Sequence, residues 1–363
     1  MKIKIYCFLL ISIIASPFVK AQFNFYAGYQ GIYDDNIFNN YLMISDYINN
    51  FSAGTAYNFE SDFNNIQIYY EGSLNTFRKN TSKSFNAHRI GFVETHLFSI
   101  DDNPLNAGVN YSFRNNEDDF KVYDFNQLST YINYKHSISE TDFIIAGYIY
   151  NRNNYKNFSR FSHHEHRAFL SWISSFETGT SIFLNAEYNF KKYFETYELD
   201  SFLNEASYFK MMTNVSQSLN EQTGINGYVV YRKNLSEGSR YLLSDSLIYY
   251  EEEIFNDIYS YSGVETGVGF KHYFGDYVEF SAEAKYLIKN YSSLNAVAVD
   301  GNELSELRED KLWGVGAGLA FDLSGLVSGF SLSVSYNYLK NQSNDYYYNY
   351  TNQMISASLD YDL

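Results

Sequence analysis

Sixteen stretches of this chain alternate apolar and polar side chains with a period of two, and that regularity leaves few folds open. They run near 23–33, 49–60, 64–77, 85–99, 105–116, 124–137, 142–152, 163–176, 180–193, 207–219, 223–234, 259–272, 277–290, 309–322, 329–341 and 350–363. In the thirteenth, Val278, Phe280, Ala282, Ala284, Tyr286 and Ile288 share one parity, while Glu279, Ser281, Glu283 and Lys285 share the other. A period of two is that of a β-strand. At about 10 to 15 residues each, the stretches exceed the usual strand of a soluble sheet and suffice for the tilted crossing of a bilayer.

The connections sort by length. Short turns follow the even-numbered strands, as at Ser61 to Phe63, Glu177 to Gly179 and Asn220 to Gln222. Longer, polar, acidic segments follow the odd-numbered ones, the longest spanning Lys233 to Asp257. Short turns on one side and long loops on the other, with both chain ends on the short side, are the pattern of bacterial outer-membrane barrels. The expected fold is therefore all-β: a single closed antiparallel transmembrane β-barrel over residues 22–363, with about 16 strands and a range of about 14 to 18.

A charge facing lipid at mid-depth costs roughly 2 to 4 kcal/mol, so the polar parity is expected to face a wet interior. Its acids are Glu60, Glu71, Glu94, Glu187, Glu265, Glu279, Glu283 and Asp360; its bases are Arg114, Lys135, Lys191, Lys210, Lys271 and Lys285. That excess of acids predicts a mild cation preference. Two strands resist sorting. Arg89 shares the parity of Ala87, Val93 and Leu97, which predicts a side chain reaching water at the outer interface. In the seventh strand both parities are apolar, which fits a tyrosine-lined lumen or a contact between protomers of a homo-oligomer.

Composition supports a sheet with few interruptions. The chain has 38 tyrosines and 31 phenylalanines but only two prolines, Pro17 and Pro104. No segment after the first few residues approaches the apolar run of about 18 that a spanning helix needs. The start is different: Lys2 and Lys4, an apolar stretch from Ile5 to Ile14, then Val19, Lys20 and Ala21, the pattern of a secretory signal cleaved after Ala21. The single cysteine, Cys7, lies inside that stretch and not after it, so no lipid anchor is expected. Loss of Lys2, Lys4 and Lys20 lowers 26 basic residues to 23 against 42 acidic ones, a net charge of −19. So acidic a chain is not expected to bind nucleic acid.

The final strand places Ile355, Ala357, Leu359, Tyr361 and Leu363 on one face, and so resembles the C-terminal signal read by the barrel assembly machinery, although it closes on Leu363 in place of Phe or Trp. Tyr33, Asp34, Asp35, Asn36, Ile37 and Phe38 resemble the Y-D-x-N-I-[FY] segment found early in the beta-barrel porin-2 family. The resemblance implies an outer-membrane barrel, from a family some of whose members are associated with exported polysaccharide.

Chemistry-bearing motifs are sparse. His163, His164 and His166 cluster at a strand start, where a pair on one face would still need a third metal ligand. There is no H-E-x-x-H, no G-x-S-x-G and no phosphate-binding glycine loop, so no cofactor and no enzyme are expected. A Ser-His pair on the wall would have to use His88, His96, His136 or His272. Carboxylates gather in the long loops at Asp34, Asp35, Glu117 to Asp119, Glu251 to Glu253, Glu306 and Glu309, where cations shared with lipopolysaccharide phosphates would fit. Small residues mark one wall, with Gly263, Gly267 and Gly269 on strand 12 and Gly314, Gly316 and Gly318 on strand 14. Glycine inside a sheet marks a bend or a close approach, so the long loop, with Leu242, Leu243, Leu247, Ile248 and Tyr249, is expected to dock there and narrow the pore.

The leading functional expectation is passive diffusion of small hydrophilic solutes, because a barrel of this size leaves an aqueous channel unless it is plugged. The alternatives are a barrel for polysaccharide binding or export, with Tyr69, Tyr131 and Tyr228 stacking on sugar rings, and a surface adhesin.

Overall fold

A computed structural model describes residues 20–98, 103–194, 204–236 and 258–363. Sixteen antiparallel strands close on themselves. They are β1 Lys20–Asp34, β2 Asp46–Glu60, β3 Asn64–Phe77, β4 Phe85–Leu97, β5 Pro104–Asn116, β6 Phe125–Ser137, β7 Asp142–Tyr155 and β8 His163–Ser175 in the first half. The second half comprises β9 Thr180–Tyr193, β10 Glu205–Asn220, β11 Thr223–Ser236, β12 Tyr261–Phe274, β13 Val278–Val297, β14 Glu303–Asp322, β15 Phe330–Ser343 and β16 Tyr350–Asp362. Every strand pairs with its sequence neighbours, and β1 closes the ring by pairing with β16 from Tyr26↔Asp362 to Asp34↔Met354. The terminal Leu363 exchanges two backbone hydrogen bonds with Phe25, at 2.8 and 3.1 Å, and so completes the seam. A closed ladder leaves no strand edge unpaired, as a sheet in a bilayer requires.

One face of the ring is exposed and apolar all round, with Phe25, Ile68, Leu170, Val215, Val268 and Ile355 on strands spread over both halves. The opposite face carries the charged side chains of the middle rows, and its upper part is packed, with Asn189, Tyr208 and Lys289 buried. The first is the lipid face and the second the lumen. The inside of this barrel is polar and its outside apolar, the reverse of a soluble protein.

Two features depart from the sequence reading. The segment after β13, expected as a loop of about 18 residues, continues as strand: β13 and β14 are 20 residues each and leave only residues 298–302 between them. Their register shifts between Asn290 and Val297, where the hairpin rises past its neighbours. Four of the other connections fold back. After β3, β5, β7 and β15 the chain makes a short 3-10 helix, at Thr81–Lys83, Asp118–Tyr123, Ser159–Phe161 and Tyr346–Tyr348. A recurring side-chain lock closes three of these four returns: Ser84 accepts from the Phe77 N–H at 3.1 Å, Ser162 from the Tyr155 N–H at 2.9 Å, and Asp124 from the Asn116 N–H at 2.7 Å.

Candidate functional site

The lumen wall can be followed row by row, because residues that pair across strands share a face. Glu71 pairs with Gly54 and Arg89, and Arg89 in turn with Ser112. Arg89 therefore faces the lumen, 3.4 Å from Glu71, and not the outer interface. Glu94 falls on the other parity, between Ile66 and Ala107, and stands on the lipid face toward the short-turn end of β4. Both corrections have one cause. A charge close to a strand end lies beyond the acyl region and does not report its face, whereas a charge at mid-strand must point inward.

The other expected inward charges share the lumen face. Glu187 and Lys210 stand opposite one another and form an ion pair at 3.0 Å. Lys271 and Glu279 pair at 2.8 Å near the short-turn end. Glu265 accepts from the Tyr228 hydroxyl at 2.8 Å. Lys135 lies over the Phe143 ring at 4.2 Å, and Arg114 over the Phe85 ring at 3.7 Å. Lys191 is buried 4.5 Å from the Tyr259 ring. Glu60 and Asp360 lie low on the wall, while Glu283 and Lys285 sit between the glycines of β12 and β14. The alternation overlooked several bases on the same face: Arg167, which donates to Asn189 at 2.9 Å, and Arg232, Lys289 and Arg308. They are matched in part by acids on the same face that the alternation also overlooked, Glu165, Asp310 and Asp362. The position of the bases on the polar parity of β8, β11, β13 and β14 was a usable signal.

On β7 the lumen parity is that of Phe143, Ile145 and Ile149, while Tyr148 and Tyr150 point to lipid. His164 and His166 also point outward, bonded to the Tyr150 and Tyr148 hydroxyls at 2.6 and 2.5 Å. His88, His96, His136 and His272 are on the lipid face too; three of them bond to Tyr70, Asn64 and Thr223. Among the described residues, no three His, Cys, Asp or Glu side chains converge as a metal site would need. Of the loop carboxylates, Asp34 is buried and accepts from the Asn36 N–H at 2.8 Å, which turns it away from the surface.

All six wall glycines share the lumen face, and side chains account for most of them. A β-carbon at Gly267 would run into the Tyr228 ring, at Gly269 into Asn226, and at Gly316 into Asn337 and Glu283. At Gly314 and Gly318 it would crowd Lys285 and Ser281. At Gly263 the nearest atom is backbone, the Ile288 carbonyl. Residues 237–257, the loop expected to dock there, lie outside the described residues. The end of that connection packs elsewhere: Tyr259 turns inward against β8 to β10, with its hydroxyl 2.8 Å from Glu165 and its ring 4.7 Å from that of Tyr208.

The segment that approaches the glycine wall is the first loop. Asn352, on the lumen face of β16, places its amide nitrogen 2.9 to 3.0 Å from Asp34, Asn36 and Asn39. Asn39, held at φ 49°, lines a niche with Gly314, Asn337 and Lys285. Asn36 is wholly buried and bonds to the Asn40 and Thr351 carbonyls at 2.7 and 2.9 Å. The Y-D-x-N-I-F residues are thus the inward fold of this loop, with Ile37 and Phe38 packed on Phe77, Phe120, Tyr123 and Phe161 from the next loops. Beyond the Tyr346–Tyr348 turn, which bonds to Asn40 and Tyr41, Arg308 lies over the Tyr291 and Tyr348 rings and pairs with Asp310 at 2.5 Å. Burial pushes the Asp345 carboxyl beside them upward, against the pull of Arg308 and of the Tyr347 and Val297 N–H groups.

A closed ring of sixteen strands, with an apolar face without and a charged lumen within, defines the fold of a porin-type transmembrane barrel. Three crystal structures from Pseudomonas aeruginosa share the architecture. OpdK with vanillate is similar at TM-score 0.54 and 10% identity over 94% of this chain and 98% of that one. OccK8 (OprE) is similar at 0.53 and 12%, over 95% and 98%. OpdQ is similar at 0.53 and 9%, over 95% and 99%. At such identity the likeness is one of fold. No protein-family model matches the chain, and no curated protein does.

Proposed function

We propose that this chain is an outer-membrane channel through which small hydrophilic solutes diffuse passively. One observation carries the reading: most strands present charged or polar side chains to the lumen, a lining that water must solvate, while the outward face is predominantly apolar. The inward first loop narrows this conduit on the β14 to β16 side without belonging to a separate plug domain. OpdK, of the same fold, was crystallised with vanillate, which accords with small solutes as the cargo. An adhesin has less to support it, because the loops over β1 to β8 are spent on packing against each other. The reading includes no catalytic step.

Export would remove residues 1–21 and leave Gln22, still paired with Asn58, as the first residue of β1. The alternating last strand, whose outward residues end in Leu363 at the seam, would direct assembly by the barrel machinery. The smooth apolar face leaves room for lipid or for a second copy of the chain. Single-channel recording of refolded protein in a planar bilayer tests the function. Discrete ohmic steps are expected, and a folded, inserted protein that passes no current would overturn it.

A further inference from the structure

Five inward aromatic residues stand directly opposite a glycine on the next strand. Tyr26 faces Gly54, Tyr69 faces Gly91, Tyr131 faces Gly108, Phe169 faces Gly147 and Tyr228 faces Gly267. In every pair a β-carbon on the glycine would collide with the far end of the ring. Each ring therefore reaches over its glycine and lies along the wall. All five residues are half-buried, as expected when one ring face is covered by the strand and the other is turned to the lumen. Rings standing upright would close the channel; rings laid along the wall pave it.

Four of the five occur on β1, β3, β6 and β8, so they pave one side. Between Tyr26 and Tyr69 the wall recedes into a cavity of about 440 Å³ that also exposes Asn24, Gln67, Glu71 and Asp362. Its volume falls within the usual range for small-molecule sites. The chemistry of its lining is selective. A flat aromatic face suits a ligand with an apolar C–H face, while carboxylates and side-chain amides suit adjacent hydroxyls that both donate and accept. Asp362, with Glu71 only partly offset by Arg89 at 3.4 Å, keeps the niche acidic and disfavours an anionic occupant. An uncharged pyranose ring satisfies all three conditions.

We propose that the niche between Tyr26 and Tyr69 is a saccharide subsite, and that the rings of Tyr131 and Phe169 continue it as a track along the wall. Tyr26 and Tyr69 offer stacking faces, and Glu71, Gln67 and Asn24 take ring hydroxyls. Solutes meeting the opposite side encounter the Lys285 and Glu283 wall, where Tyr228 over Gly267 is the single such pair among the described residues. The proposal rests on the channel reading for its purpose but not for its test. It also differs from a purely structural role for the tyrosine-glycine pairs, which would brace the sheet and bind nothing.

The test uses maltotriose and cellotriose, with sorbitol as a hydroxyl-rich control without a ring. Added to single channels of the refolded full chain, one of the two trisaccharides should interrupt the current saturably, and sorbitol should not. The same sugar should bind detergent-solubilised protein in a calorimetric titration, which remains informative if the protein passes no current. Tyr26→Ala with Tyr69→Ala should weaken binding at least tenfold, Glu71→Gln about threefold, and Tyr69→Phe should retain most of it because the stacking face survives. Folding of each variant is checked by its heat-dependent gel mobility. Absence of binding by both sugars, or unchanged affinity in the folded double alanine variant, overturns the subsite. Absence of current with binding intact overturns the channel alone.

Discussion

The mouth of this barrel is covered in two different ways on its two sides. Over β1 to β8 the loops meet through Ile37, Phe38, Phe77, Phe120, Tyr123 and Phe161, a small apolar core whose cations sit over ring faces, Lys83 over Phe38 and Phe77, Arg114 over Tyr123 and Arg160 over Phe161. Over β13 to β16 the packing is polar: Arg308, Asp310, Asn341 and Asp345 are buried among Tyr291 and Tyr348. Apolar packing is non-directional and gradual in its failure. A buried ion pair contributes little net stability while intact, yet losing one member leaves the other charge stranded. The two sides of the rim should therefore respond differently to the same kind of damage.

The largest effect is expected from Arg308→Ala. It strands Asp310, which is wholly buried, at a cost of order 3–5 kcal/mol. Hydrogen exchange should then lose protection in the upper part of β13 and β14, and replacing both partners by apolar residues should recover most of it. Phe38→Ala should cost about 3 kcal/mol and open the first loop to limited proteolysis between Asp35 and Ser45. High salt should leave that loss unchanged, and a strong salt dependence would show that the apolar cluster is not what holds the loop. Asn352→Leu removes the amide bonded to Asp34, Asn36 and Asn39, for about 1–3 kcal/mol. Because this bond holds the loop in the lumen, conductance should rise; equal conductance in variant and parent would place the narrowing elsewhere. The smallest change is expected from Lys210→Gln, which frees Glu187 on the wall. The reversal potential in a salt gradient should move a few millivolts toward cations, and a move toward anions would contradict the inward placement of this pair.

Much of the fold was legible because a lipid-spanning sheet writes its geometry into parity. All sixteen strands were found, with most ends within three residues, and the short turns fell where expected. The signal failed where its physics fails. Glu94 sits close to a strand end, where either face reaches water, and β14 begins with Glu303, Ser305 and Arg308, which read as a loop yet are strand because the hairpin stands clear of lipid. The lumen was legible as a set of inward charges and not as contacts. Glu71 could be assigned a face, but its partner Arg89 required knowledge of the neighbouring register. The glycines were recognised as close approaches, but whether backbone, loop or side chain approached them depended on which residue stood opposite. Tyr69, Tyr131 and Tyr228 were visible as inward tyrosines; that each lies on a glycine was not.

The tall hairpin of β13 and β14 has a practical use. Its strands run about five to seven residues past those of β15 and β16, roughly 20 Å of ladder. The connection at its tip is a tight reversal with Gly301 at φ 82°. The tip residues 299–302 are exposed, so a peptide spliced in between Ala298 and Asn302 would stand at the outer end of the hairpin. Such a handle would let intact cells report by antibody labelling which end of the cylinder looks outward.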